Sequence, residues 1–400
     1  MKILYITLED LSIHKGSTVH INEIVAELRN RGHQVGLVAR SSVRYGRGDD
    51  FHSLLHGGFF WGKSVGLKTI SYLLSSVLLF SYLMRLLPHY DIIYARDFPA
   101  AIIALLPRLL FRRKLVLEMN GIAHEEQRLR SESIFSRMFS FGIRKVEKIA
   151  PKYSDRIVCV TTQIASYLIG NFNCQPEKVK VISNGVNTEK FRPILDVSLI
   201  GNLKSRLGIA RDEQVVAFVG NLAPWQGVEY LIDAAPMLLR KNQRIRFLII
   251  GGGLLKDELM AKAKRLGISN HFVFTGMVDH EEIPLYINLA DICVLPKRTL
   301  MSGYSPIKLY EYMACGKPVV ASRVEGLAFL EEEGAGQLVE PENVDDLEKA
   351  LDDLLQDPGK RARMGRTGLK IAGEKYSWKS KVIEIEGVLR DLGIEFAVSS

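Results

Sequence analysis

Apolar residues along this chain fall into short continuous runs separated by longer amphipathic stretches, and the runs form two series. The first comprises KILYIT from Lys2, QVGLVA from Gln34, DIIYA from Asp91, KLVLEMN from Lys114, DRIVCV from Asp155 and KVKVIS from Lys178. Apolar runs of this length, bounded by turn formers and charges, predict strands covered on both faces. The stretch His20 to Arg29, between the first two runs, carries a helical pattern, so the rhythm is βαβ and predicts a parallel sheet. A second series starts afresh at QVVAFVG (Gln214 to Gly220) and continues with IRFLIIGGG, HFVFTGM, DICVLP, KPVVAS and Gly336 to Val339. The expected class is α/β, with two doubly wound Rossmann-like domains over residues 1–185 and 186–375. The junction falls near Asn184 to Asp196, at the turn-like NGVNTEKFRP.

One segment breaks the rhythm. Phe59 to Leu87 reads FFWGKSVGLKTISYLLSSVLLFSYLMRLL, with sixteen uncharged residues between Lys68 and Arg85. Spanning a bilayer takes about 20 predominantly apolar residues, so the segment reads as too short to cross. Aromatic Phe59, Phe60 and Trp61 and the basic Lys63, Lys68, Arg85, Arg112, Arg113 and Lys114 fit a helix lying among lipid headgroups. A core helix of an α/β domain fits equally, and both hold if one face packs inward.

Charge sharpens this. The net +8 divides into +10 over residues 1–185 and −2 over 186–400, so an anionic partner concerns the first half only. No zinc-finger spacing, aromatic RNA-binding motif or basic recognition helix is present, which argues against nucleic acid and for an anionic membrane surface. Four cysteines without a CxxC pair predict neither zinc site nor disulfide framework and fit a reducing cytoplasm. The N-terminus enters a strand pattern directly, with no signal-peptide signature.

The densest chemical signal is MSGYSPIKLYEYMACGKPVVAS, Met301 to Ser322. Ser305 is a favoured N-cap, Pro306 suits the first helical position and Gly316 stands where a helix stops, predicting a helix of roughly ten residues. Its free N–H groups, at Ile307 and Lys308 among others, would face an anion, and Lys308 adds a cation. Glu311 lies on the Lys308 side one turn on, placed to accept bonds from hydroxyls of the same ligand. Phosphate and vicinal hydroxyls together describe a nucleotide.

This segment resembles the donor-binding signature of retaining GT-B glycosyltransferases, the large group that includes sucrose synthases and bacterial mannosyltransferases. EYMACGKPVVAS matches closely. The first of the family's two acids falls on Gly303, and the second is Glu311. The resemblance extends over nearly the whole chain: Gly16 to His20 with Arg31-Gly-His33, VISNGVNTEKFRP, FVGNLAPWQGVEYLIDA, FVFTGMVDHEEIPLYINLADICVLP and YSWKSKVIEIEGVL follow the family's order. It implies two domains facing each other across a cleft, an acceptor-binding first domain closed by a C-terminal helix over 376–400, and a donor-binding second domain.

The resemblance also implies roles. Glu311 would hold the ribose hydroxyls, and the base would sit near Gly276 to Val278, against Met277 and Val278. Two cations that the family sets against the leaving diphosphate are replaced by Asn221 and Gln226, a loss of several kcal/mol unless compensated. Lys308 is the expected substitute, with Arg298 and Lys297 the other cations at hand. With Gly303 in place of an acid, contacts to the donor sugar would come from N–H groups of Ser302, Gly303 and Tyr304, beside Ile307. In the first domain Gly16 would let backbone approach a phosphate or sugar. The histidine that touches the donor sugar in relatives corresponds either to Asn120 or to His124, the latter beside Glu125 and Glu126 in what also reads as a solvated loop cluster.

The expected activity is transfer of a sugar from a nucleotide diphosphate sugar to a saccharide acceptor, lipid-linked or of the cell envelope. It would proceed with retention, by positioning and electrostatics, at the inner face of the membrane. No cofactor is expected, and no metal: neither Asp-x-Asp nor HExxH occurs, and His52 and His56, at helical i, i+4 spacing, have no further ligand nearby. A dinucleotide dehydrogenase is disfavoured because GGGLLK, from Gly251, lacks the third glycine of GxGxxG. A sugar-nucleotide 2-epimerase and a catalytically silent nucleotide-sugar-binding subunit are the alternatives that share the fold.

Overall fold

The computed structural model describes residues 1–13, 15–41, 50–54, 65–125 and 142–393, with the side chains of 65–70 excepted. Two compact units result, Met1–Ser183 joined by the segment from Trp378, and Asn184–Ser377.

In the first unit the strands are β1 (Lys2–Asp10), β2 (Gln34–Arg40), β3 (Phe51–Ser53), β4 (Ile92–Arg96), β5 (Lys114–Met119), β6 (Arg156–Cys159) and β7 (Val179–Val181). They form a parallel sheet in the order β3-β2-β1-β4-β5-β6-β7. Six were legible as apolar runs. β3 was not: three half-buried residues at a sheet edge leave no pattern, and His52, expected on a helix, lies in it against Tyr82. His56 is outside the described residues.

The second sheet holds β8 (Gln214–Val219), β9 (Ile245–Ile250), β10 (Phe272–Gly276), β11 (Ile292–Leu295), β12 (Val319–Ser322) and β13 (Gly336–Val339). Their order is β10-β9-β8-β11-β12-β13, again parallel. In each sheet the strand order reverses beside the first strand, between β1 and β4 and between β8 and β11. Doubly wound sheets receive ligands at the carboxyl ends of strands flanking that reversal.

The apolar segment forms one helix, Val65–Leu86, of 22 residues. The stretch Ser71–His89, which runs from this helix into the turn after it, is by length and composition long and apolar enough to cross a membrane, contrary to the expectation from charge spacing. Packing assigns it to the fold: Ser71, Ser75, Leu79 and Leu83, four apart, are buried in the first unit's core. The opposite stripe, Leu73, Val77, Phe80 and Met84, is exposed, and Leu106, Leu109 and Leu110 of the adjoining helix Phe98–Leu110 are exposed too. Ser76 and Ser81 turn their hydroxyls onto carbonyls four residues back, at 2.8 and 3.1 Å, so they add little polarity to that face. Phe59, Phe60, Trp61 and Lys63 lie outside the described residues.

The last helix, Trp378–Arg390, docks on the first unit. Glu386, 2% exposed, accepts both Arg31 Nε and Nη2 at 2.8 and 2.9 Å and pairs with His33 Nε2 at 2.8 Å.

Candidate functional site

The richest polar constellation in the second unit lies at its sheet reversal, where loops leave β8 and β11. The β8 loop runs from Gly220 to Gly227, the β11 loop from Pro296 to Tyr304. They are stitched together: Arg298 N–H donates to Trp225 O at 3.3 Å, and Tyr304 Oη reaches the same carbonyl at 3.5 Å. Gly227, at φ +68, permits their contact, since a Cβ there would sit 1.6 Å from Pro296 O.

Between the loops, Lys297 Nζ and Lys308 Nζ both donate to one acceptor, Gln226 Oε1, at 3.0 and 3.1 Å. Lys297 and Gln226 are buried, and Lys308 is half-buried. Each ammonium also lies over an aromatic face, Lys297 over Tyr304 at 4.4 Å and Lys308 over Phe218 at 4.3 Å. Gly220 makes room, because a Cβ at that position would lie 2.0 Å from Lys308 Nζ. Among the described residues neither ammonium has a carboxylate within ion-pair distance. Burial pushes Lys297 down to about 7. Lys308 is held well below the ordinary lysine value by burial and then by Lys297, with Glu311 opposing. Arg298 is committed elsewhere, bonded to Glu229 at 2.8 Å and stacked over Tyr230.

The helix after this loop is Ile307–Ala314, closed by Gly316 at φ +70. Its start corrects the expectation. Pro306 occupies the N-cap with extended backbone, and Ser305 faces away: its hydroxyl accepts from Asn184 N–H at 2.8 Å and meets Tyr310 Oη at 3.1 Å. A tertiary partner outbid the local cap. The backbone donors expected at Gly303 and Tyr304 are also taken, by Leu300 O and Glu325 O at 3.1 and 2.9 Å. Of that trio, Ser302 is buried and Gly303 sits at φ +62.

Glu311 is 6% exposed, and His280 Nε2 stands 3.5 Å from its Oε1. Lys190 Nζ lies 2.7 Å from His280 Nδ1. An ammonium can only donate there, so Nδ1 is the acceptor and the ring proton sits on Nε2, the nitrogen beside the carboxylate. Neither Lys190 nor His280 stood out in the sequence. The i, i+3 step from Glu311 revealed Lys308 but not a partner 31 positions back. Asn221 is exposed with its Oδ1 near Gly253, Met277 is exposed above Gly252, and Val278 packs on the core.

In the first unit the sheet reversal holds a different cluster. Glu118, at the end of β5 and 1% exposed, receives Arg96 Nη1 at 2.9 Å and Asn120 Nδ2 at 2.6 Å, with His20 Nε2 2.6 Å away. Trp378 and His20 pack edge to face, with ring centroids 5.2 Å apart. Burial alone would raise Glu118, but His20 and then Arg96 hold it down at about 2. An acid inside the apolar run KLVLEMN was the available signal. Gly16 begins the helix Gly16–Asn30, and Asn120 is half-buried. His124 is not in a solvated cluster. It and Glu125 are buried, with His124 Nδ1 3.0 Å from Glu147 Oε2 and Nε2 3.4 Å from Tyr167 Oη. Both its ring nitrogens are engaged, whereas Asn120 is fixed through its amide nitrogen alone. Glu126 lies outside the described residues.

Two family models match the sequence, Glycosyl transferases group 1 over residues 200–371 and Glycosyltransferase Family 4 over residues 14–190. The chain belongs to the GT-B glycosyltransferases. An uncharacterised glycosyltransferase of Methanocaldococcus jannaschii is 32% identical over 254 residues, covering 63% of this chain and 64% of that protein. A GDP-mannose-dependent alpha-(1-6)-phosphatidylinositol monomannoside mannosyltransferase of Mycolicibacterium smegmatis is 34% identical over 202 residues, covering 49% and 52%. The alignments thus span about half to somewhat under two-thirds of these relatives. Among solved structures, sucrose-phosphate synthase from Thermosynechococcus elongatus superposes with TM-score 0.79 over 98% of both chains at 20% identity. Anabaena HepE, solved with UDP and glucose, gives 0.75 over 98% and 99% at 22%. These likenesses establish the fold, two Rossmann-like domains as the strand series predicts.

Proposed function

We propose that this GT-B protein transfers a sugar from a nucleotide diphosphate sugar to a saccharide acceptor that is lipid-linked or belongs to the cell envelope, with retention of configuration. The donor would bind the second unit, with Glu311 on the ribose hydroxyls and Lys308 facing the diphosphate. The observation that carries this reading is Lys308 lodged beside Gly220 at the sheet reversal, one helical turn from Glu311. Cationic neutralisation of a departing diphosphate and alignment of the acceptor would supply catalysis without a metal ion. The first unit would take the acceptor, with Gly16 letting backbone approach a phosphate or sugar, and Asn120 is the better placed of the two candidates for the donor-sugar contact.

The exposed stripe Leu73, Val77, Phe80 and Met84, with Leu106, Leu109 and Leu110, supports contact with the cytoplasmic face of an anionic membrane. Basic residues exposed on the same unit, among them Arg85, Arg112 and Lys152, would add attraction of about 1 kcal/mol each near such a surface.

The test is a panel of UDP-, GDP- and ADP-sugars, radiolabelled in the sugar and incubated with the protein, membrane extract and excess EDTA. Label should enter the lipid or envelope fraction from one donor, and NMR of the product should show the donor's anomeric configuration. Thermal stabilisation by a donor without transfer or hydrolysis would instead identify a silent binder, and conversion of the free donor to its C2 epimer an epimerase. Pelleting with phosphatidylserine vesicles should decline as salt rises; indifference to both lipid and salt would remove the membrane contact.

A further inference from the structure

The pairing of one buried and one half-buried ammonium on a neutral amide has no structural logic of its own. Gln226 Oε1 accepts from both Lys297 and Lys308, which holds two like charges within about 6 Å in a poorly solvated place. A carboxylate at that point would have been the stabilising choice, since buried charges without an opposite partner are costly. The amide carries only a dipole, so it orients the two ammoniums without cancelling them. Arg298 cannot join them while Glu229 holds it at 2.8 Å.

We infer that Lys297 is a second donor-diphosphate ligand, completing with Lys308 a two-cation receptor in which Gln226 holds both ammoniums in the empty site and yields them to the phosphate oxygens. The inference rests on the donor reading above and adds to it a specific residue and a function for Gln226. The two cations that the resemblance implies at Asn221 and Gln226 would be supplied instead from the β11 loop and the Ile307–Ala314 helix, with Gln226 as the pivot. Specificity follows: a diphosphate can meet both ammoniums, a monophosphate only one.

The experiment is calorimetric titration with UDP, GDP and ADP and their monophosphates, on wild type, K297M, Q226E, R298M and E311A, with melting temperatures recorded in parallel. Wild type should prefer one diphosphate over its monophosphate by at least tenfold. K297M should lose most of that preference while keeping its monophosphate affinity within about threefold. Q226E, which places an internal anion between the lysines, should melt higher than wild type and lose diphosphate binding, an outcome that a merely structural role for the pair would not give. The inference is overturned if K297M retains the preference, if R298M is the variant that abolishes it, or if Q226E binds diphosphate as wild type does. Loss of binding in E311A with none in K297M leaves the donor reading standing and removes this one; absence of any diphosphate binding by wild type removes both.

Discussion

The two sheets share a winding and place a buried polar cluster at the same point, yet the clusters are built on opposite principles. Beside β1 and β4, Arg96 and His20 both meet Glu118 at Oε1, so its charge is compensated within the protein, although Oε2 is buried without a hydrogen-bond partner among the described residues. Beside β8 and β11, two lysines are met by Gln226, and their charge is left over. A cluster that neutralises itself serves its own fold. One that leaves charge uncompensated is shaped for something that arrives. The same architecture thus yields a rigid platform in one unit and a receptor in the other, and the difference resides in which side chain stands between the charges.

Removing a cation from each cluster should therefore have opposite effects on stability. Arg96→Met leaves Glu118 buried and short of a partner, and should cost about 3–5 kcal/mol in urea denaturation. Lys297→Met removes an unpaired buried charge and should leave stability unchanged or higher. Equal losses in the two variants would erase the distinction. The Glu386 contact offers an intermediate case, a carboxylate engaged by Arg31 and His33 but nearer solvent on the arginine side. Glu386→Ala should cost about 2–3 kcal/mol, read as a loss in the first unit's transition only.

Acid and base should also separate the clusters. Glu118 titrates lower folded than unfolded, so its contribution is complete above the ordinary carboxylate value of about 4.3 and is lost as pH falls toward about 2. Lys297 titrates lower folded too, but it is a cation: above about 7 the unfolded chain holds the extra proton, so stability rises with pH from there toward the ordinary lysine value. Diphosphate affinity should move the other way, falling as pH climbs through about 7. Calorimetry at pH 6, 7 and 8 checks this, and a flat profile would mean that Lys297 stays charged throughout. The smallest effect is expected at His280. His280→Gln should weaken nucleotide diphosphate binding about fivefold by removing the imidazole that stands beside Glu311, with the melting temperature unmoved.

What the sequence revealed and what it hid divide along the same physical line. Apolar periodicity is local, and it marked every strand long enough to be covered on two faces. The helix stop at Gly316 was equally local. Partners distant along the chain were invisible: Asn184 took Ser305 from its capping role, Glu229 took Arg298, and Glu325 took the N–H of Tyr304. Lys308 was legible because a helix brings it beside Glu311. Its sharing of Gln226 with Lys297 arises only when the β8 and β11 loops meet.

The Glu386 contact also fixes an order in time. Arg31 and Glu386 are 355 positions apart, whereas the second unit is continuous from Asn184 to Ser377. During synthesis every residue of the second unit is polymerised before Trp378 and Glu386, so the first unit, although translated earlier, must wait for the last helix to supply the ring packed on His20 and the anion for Arg31 and His33. The half of the molecule made first is the half finished last.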